Sequence, residues 1–253
     1  MSWNLFFTMF GGLGLFIYGM RLMGEGLERA AGDQLKNLVE ILTTNRLMGV
    51  FVGALVTAII QSSGATTVIV VGLLNAGIMD LSQAVGVIMG ANIGTTMTAQ
   101  LIAFKLSNIA LPAIGIGTGI FLFSKNKTRK FIGQVILGFG LLFFGMQTME
   151  TALKPLAELP QFIGFMTSFS KTPILGVLAG FILTGLIQSS SATIGILQAL
   201  ASQGLVNLSI ALPILFGDNI GSCVTALLSS IGTNINARRA ALFHLLFNII
   251  GTI

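Results

Sequence analysis

Gln61-Ser62-Ser63-Gly64-Ala65-Thr66 interrupts an apolar run that begins at Leu47, and Gln188-Ser189-Ser190-Ser191-Ala192-Thr193 interrupts another that begins at Ile174. The second hexad lies 127 positions after the first, and Gly217 lies the same 127 positions after Gly90. Ten of twenty positions are identical between 47–66 and 174–193, more than a shared apolar composition produces. The chain therefore reads as an internal duplication. Its divisions are a first repeat over 1–124, a basic cytoplasmic loop over 125–130, and a second repeat over 131–253.

Composition decides the solvent. The chain has 253 residues, 54% of them hydrophobic and 8% charged. Its mean hydropathy is +0.93, whereas a soluble domain carries roughly 25% charged residues. Thirteen basic and eight acidic residues cannot coat a surface of this size. Lipid must face much of it. The net charge of +5 then reports orientation in a bilayer rather than nucleic-acid binding. Cys223 is the single cysteine, so no intramolecular disulfide forms, and it reads as a small packing residue. No positive charge precedes Arg21, and the apolar run is too long for a signal peptide.

Residues 5–23 form a first spanning segment, with Trp3 and Tyr18 as interfacial anchors. Residues 25–45 mix Glu25, Glu28, Arg29, Asp33, Lys36 and Glu40 with apolar positions, the pattern of an amphipathic surface helix. The runs 47–60 and 67–79 flank the first hexad. A segment over 81–104 is interrupted at Gly90–Thr96, and 107–123 is a further span. The second half repeats this plan. Gly138, Gly140, Gly145 and Met146 in 131–149 fall on Gly12, Gly14, Gly19 and Met20. Glu150, Lys154 and Glu158 mark a surface segment, and 208–231 is interrupted at Gly217–Cys223. The chain ends inside the apolar run 240–253, so the second repeat reads as cut short.

Charge placement discriminates between two topologies. If 47–79 is a re-entrant hairpin, each repeat crosses three times and the second is inverted. Arg21, Arg29, Lys36, Arg46, the 125–130 cluster, Arg238 and Arg239 then share one side, against Lys105, Lys154 and Lys171 on the other. That distribution obeys the positive-inside rule and puts the N-terminus outside. If 47–79 is one interrupted span, the halves are parallel and the basic residues scatter. The expected architecture is an all-α integral membrane protein of two inverted-topology repeats. Each has about three spanning helices, a re-entrant helical hairpin and a surface amphipathic helix.

Polar residues in hydrocarbon need partners, because each unsatisfied group costs several kcal/mol. Broken helices offer free N–H groups that suit anions and free carbonyls that, with hydroxyls, suit Na⁺. The candidate binding residues are Gln61, Ser62, Ser63 and Thr66 in the first half, with Gln188, Ser189, Ser190, Ser191 and Thr193 in the second. Na⁺ is expected among Gln61, Ser63, Thr66, Gln188, Ser190 and Thr193. A second set comes from the later interruptions: Asn92 with Asn219, Thr95 with Ser222, and Asp218 where the first half has Ala91. Asp218 reads either as a cation or proton ligand or as a cap on a helix beginning near Ile220. Gly49, Gly53, Gly176 and Gly180 form small-xxx-small faces for close helix approach. His244 reads as a packing residue. With no phosphate-binding loop, metal-ligand cluster or catalytic triad, an enzyme is not supported.

The paired hexads, with Gly-Ala-Asn-Ile-Gly-Thr-Thr at 90–96 and Gly-Asp-Asn-Ile-Gly-Ser at 217–222, resemble the signature of the type II sodium/phosphate cotransporters over nearly the whole chain. The resemblance implies inverted repeats, symport of inorganic phosphate with Na⁺ as coupling ion and no other cofactor, and a substrate site at the two Gln-Ser-Ser regions. It implies a multi-pass protein of the cell membrane, with the oligomeric state open and a homodimer among the options. Gly64 departs from the pattern by standing where a third serine belongs. Bacterial relatives often continue into a cytosolic helical domain like the phosphate-regulatory protein PhoU, which this chain is expected to lack. Two other functions stay open on the residues alone. One is Na⁺-coupled transport of another small oxyanion or carboxylate; the other is a passive phosphate channel or regulatory membrane subunit.

Overall fold

The structure, a computed structural model, describes residues 3–31, 46–104, 106–155 and 159–253, and every regular element among them is a helix. In order these are α1 (Trp3–Ala31), α2 (Arg46–Ile60), α3 (Ser63–Asn75) and α4 (Leu81–Ala103). A 3₁₀ turn (Ser107–Ile109) leads into α5 (Ala110–Phe123), followed by α6 (Lys127–Leu153), α7 (Pro160–Lys171) and α8 (Pro173–Ile187). The last are α9 (Ser190–Ser202), α10 (Leu208–Ser229) and α11 (Ile235–Ile250). A hydrocarbon core of about 30 Å needs about 20 helical residues. Among the described residues α1, α4, α6 and α10 are long and apolar enough to cross it. α2, α3, α8 and α5 with its 3₁₀ turn are apolar but shorter. Large apolar side chains such as Phe7, Phe51, Leu122 and Leu186 stand exposed, as a lipid-facing surface requires. The chain is an all-α membrane protein.

Two compact groups of segments can be distinguished, each drawing on both halves of the sequence. The first comprises Met1–Ala30, Gln100–Ile174 and Ile194–Leu212. Within it α1 and α6 pack backbone to backbone. A methyl on Gly19 would come within 2.7 Å of Gly138 O, and one on Gly138 within 2.6 Å of Gly19 O. Gly12 and Gly145 stand in the same reciprocal relation, at 2.9 and 2.6 Å. Rising numbers on α1 meet falling numbers on α6, so the helices are antiparallel. Their glycines recur every seven residues, at 12, 19 and 26 and at 138 and 145, which keeps a small-residue seam on one face. α5 lies on α6 through Gly117 and Gly140, the latter 2.8 Å from Ala110 O were it to carry a methyl.

The second group comprises Ala31–Ala99, Leu175–Thr193 and Pro213–Ile253. Here α2 and α4 run parallel. Gly49 faces Gly86, Gly53 faces Val87, Gly90 faces Val50 and Gly94 faces Ala54. The same pairing recurs 127 residues on, with Gly180 against Ile214 and Gly217 against Val177. Arg46 at the start of α2 donates from Nε to Ser82 Oγ at the start of α4, 2.9 Å away. The chain has therefore returned, through α3, to the level at which α2 began. Val52, Val56 and Ile60 of α2, Val70 and Leu74 of α3, and Val87 and Ile88 of α4 form the buried core of this hairpin, with Ala237 and Ala240 of α11. Asn234 caps α11 and also donates to Leu74 O at the end of α3, 2.8 Å away.

Three expectations need correction. The interruptions at Gly90–Thr96 and Gly217–Cys223 are absent, since α4 and α10 pass through them unbroken. Those glycines make room for the carbonyls of Val50 and Val177 instead of opening the helix. The surface helix over 25–45 does not start at 25: α1 continues to Ala31, and 32–45 lie outside the described residues. The basic loop is shorter than 125–130, because Asn126 caps α6 by accepting from Arg129 N, so Lys127, Arg129 and Lys130 occupy its first turn. Lys105 and Glu158 also lie outside the described residues.

Gly217→Ala should force α8 and α10 apart, an overpacking that costs about 1–3 kcal/mol and lowers the Tm by roughly 2–10 °C. A methyl on Gly72 would project into open space, with no atom within 4 Å, so Gly72→Ala should hold or raise the Tm. Thermal unfolding of the purified variants in detergent reads both.

Candidate functional site

α2 and α8 both end on a glutamine in the left-handed conformation, Gln61 with φ 60° and Gln188 with φ 58°. They are the two non-glycine residues with positive φ among the described residues. Glycine usually takes this position after a helix, and another residue there costs about 1–2 kcal/mol. The side chains hold the turn in place. Gln61 Nε2 donates back to Ala58 O, while its Oε1 accepts from Thr98 Oγ1 at 2.8 Å. Gln188 Nε2 donates to Gly185 O at 2.5 Å, and its Oε1 accepts from Thr225 Oγ1 at 2.6 Å. Each glutamine thus ties the tip of its hairpin to the neighbouring long helix.

The next residue starts the returning helix. Ser62 is extended and its Oγ accepts from Ala65 N at 3.1 Å, the geometry of an N-cap. Ser189 Oγ accepts from Ala192 N at 3.3 Å. Behind the caps, buried threonines join the two arms of each hairpin: Thr57 to Thr66 at 2.8 Å and Thr184 to Thr193 at 2.7 Å. All four are fully buried.

The two tips line one small polar cavity, about 40 Å³ of it open to a water-sized molecule. Gln61, Ser62 and Ser63 line it from the first half, Gln188, Ser189, Ser190 and Ser191 from the second, and Ser222 and Thr225 from α10. No lining residue is charged. The first-turn N–H groups of α3 and α9 begin there, and helix N-termini favour anions.

The other expected residues lie elsewhere. Thr66 and Thr193 sit buried behind the cavity. Asp218 is 1% exposed within α10 and accepts from Thr184 Oγ1 at 2.6 Å. The unbroken helix excludes the capping role, because a cap precedes a first turn and Asp218 is in mid-helix. Asn92 and Asn219 line a different cavity, with Asn248, Met89 and Phe216. There Asn92 Nδ2 donates to Asn248 Oδ1 at 2.9 Å, and its Oδ1 meets His244 Nε2 at 3.2 Å. Thr95 bonds back to Ala91 O at 3.1 Å and lines neither cavity. Four residues that support the tips stand outside the sequence motifs: Thr57, Thr98, Thr184 and Thr225. Their signal is the 127-residue register, which maps Thr57 onto Thr184 and Thr98 onto Thr225.

A helical membrane protein with two matched polar tips on one uncharged cavity is the outline of a solute carrier. The sequence profile described as Na⁺/Pi-cotransporter matches residues 15–151 and again 144–253, and the chain belongs to that family. It is 30% identical over 236 residues to the uncharacterized protein YqeW of Bacillus subtilis, covering 93% of this chain and 76% of that one. It is 28% identical over 239 residues to the putative inorganic phosphate export protein YjbB of Escherichia coli K12, covering 94% of this chain and 44% of that one. A shorter match, 35% over 99 residues, joins it to the sodium-dependent phosphate transport protein 2A of Rattus norvegicus, covering 38% of this chain and 15% of that one. The chain thus spans three quarters of the Bacillus relative and less than half of the E. coli one. The family is one of transporters, not enzymes. No solved structure matches the chain at a significant level.

The left-handed glutamines give a test of strain retained for a purpose. Gln188→Gly should lower the Tm, because losing its bonds to Gly185 O and Thr225 outweighs about 1 kcal/mol of relieved backbone strain, and solute binding should fall at least about tenfold for want of a positioned tip. Unfolding and ligand-binding titrations on the same preparation separate the two effects.

Proposed function

We propose that the chain is a secondary active, Na⁺-coupled transporter of inorganic phosphate in the cell membrane, working by alternating access, with phosphate and Na⁺ bound at the two Gln-Ser-Ser tips. The observation that carries this reading is the meeting of both tips, 127 residues apart in sequence, on one polar cavity at two helix N-termini. Hydroxyls and free N–H groups match phosphate oxygens in geometry but not in charge. A dianion buried without counter-charge is heavily destabilised. With no Lys or Arg in the lining, co-bound Na⁺ is the available source of positive charge. The names of relatives point the same way, one to phosphate export and another to sodium-dependent phosphate transport.

The topology follows the inverted plan. The Arg46–Ser82 bond and the parallel course of α2 and α4 support a hairpin that enters and leaves the membrane on one side. A single interrupted span would run α4 antiparallel to α2. The reciprocal Gly12–Gly145 and Gly19–Gly138 contacts support a local two-fold relation between antiparallel α1 and α6, as inversion of the second repeat requires. In this reading 1–124 and 131–253 are the two repeats, joined at the short basic segment on the cytoplasmic side.

Radiolabelled phosphate should accumulate in proteoliposomes down a Na⁺ gradient and not when choline replaces Na⁺. Ser190→Ala and Gln188→Ala, checked for monodispersity, should each weaken apparent phosphate affinity about tenfold or more, the loss of one hydrogen bond to a charged group. Uptake that ignores Na⁺ would contradict the coupling; uptake that ignores both substitutions would contradict the site.

A further inference from the structure

The helical pair α5–α6 joins a strongly basic turn to an apolar groove. Lys125, Lys127, Arg129 and Lys130 cluster at the turn, and all four are exposed. No Asp or Glu occurs between Asp80 and Glu150 in the sequence. The ion pairs among the described residues join Arg21 and Arg29 to Glu25, so no carboxylate there meets the cluster. Lys130 turns back over the Phe121 ring, 5.2 Å from its centroid. The other three cations have no partner of opposite charge among the described residues. Lys127, Arg129 and Lys130 also stand in the first turn of α6. There the helix dipole disfavours positive charge and favours an anion.

Further along the same pair, Pro112, Ala113 and Ile116 of α5 and Val135, Ile136 and Phe139 of α6 line a groove, about 460 Å³ of it open to a water-sized molecule. Every residue lining it is apolar. The groove is continuous with the basic turn. Arg129, Ile132, Ile136 and Phe139 recur at helical spacing on one stripe of α6, as Ile116 and Phe123 do on α5. Ile116, Phe123 and Ile132 are 60, 83 and 47% exposed, so the stripe is open from outside. Ten residues separate Arg129 from Phe139, a rise of about 15 Å. That is the depth of one hydrocarbon leaflet, half of about 30 Å. A soluble anion has no use for the groove, and an uncharged chain has no use for the cations. A negative headgroup on an acyl chain uses both.

We propose that the α5–α6 pair binds an anionic phospholipid, with its phosphate at Lys125 and Arg129 and an acyl chain along the groove. The inference rests on the membrane assignment and not on the transport reading.

Native mass spectrometry of the delipidated full chain tests this, with phosphatidylglycerol and phosphatidylcholine of the same acyl chains titrated in turn. Phosphatidylglycerol should bind at least about tenfold tighter, since each Lys or Arg beside an anionic headgroup contributes about fivefold. Lys125→Gln combined with Arg129→Gln should remove that preference. Lys171→Gln, which neutralises an exposed cation on α7, should leave it intact. Ala113→Leu narrows the groove and should weaken both lipids alike without changing their ratio, with an unchanged Tm as the control for folding. Equal binding of the two lipids, or a preference that survives the double Gln variant, overturns the proposal. So does full lipid binding by folded Ala113→Leu. Displacement of phosphatidylglycerol by millimolar inorganic phosphate would make the cluster a soluble-anion site and overturn it as well.

Discussion

A helix that stops and turns back must satisfy its last carbonyls and the first N–H groups of whatever follows. In this protein that constraint is met at Gln61 and Gln188. The backbone turns left-handed, the glutamine amide closes back on the helix it ends, and the next serine caps the helix that begins. The two threonines that hold the glutamine oxygens, Thr98 and Thr225, carry the turn onto α4 and α10. The hairpin packing and the polar cavity both presuppose that the turn is held. The strain of a left-handed glutamine is borne twice, at equivalent places, where glycine would have been easier. The side chain, not the backbone freedom, is what the position requires.

Glycine has the complementary part. Gly53, Gly90, Gly180 and Gly217 let α2 approach α4, and α8 approach α10, until carbonyls meet Cα atoms. Such contact replaces the hydrophobic driving force that lipid removes. The same approach brings Thr184 to Asp218. Close packing and buried polar chemistry are here one arrangement, since a wider helix spacing would leave the carboxylate unbonded.

Much of this is legible in the sequence. The duplication, the ends of α2 and α8, and the pairing of the Gln-Ser-Ser tips all follow from apolar runs stopping at the same polar hexad. The later glycines mislead, because a glycine in a membrane helix signals either a break or a close neighbour. Only the position of α2 against α4 decides between them. Asn92 and Asn219 share the register of the tips, yet they line another cavity. Register reports equivalence between halves, not proximity within one. Thr98 and Thr225 carry little signal of their own because single threonines in apolar helices normally bond back to their own helix; these two instead hold the glutamines.

The central claim is that the cavity holds phosphate only when Na⁺ neutralises it. Calorimetric titration of phosphate into the purified chain, in NaCl and in choline chloride of equal ionic strength, tests this without assuming a transport cycle. The account predicts binding at least about tenfold tighter in Na⁺. Equal affinity in the two salts would contradict it.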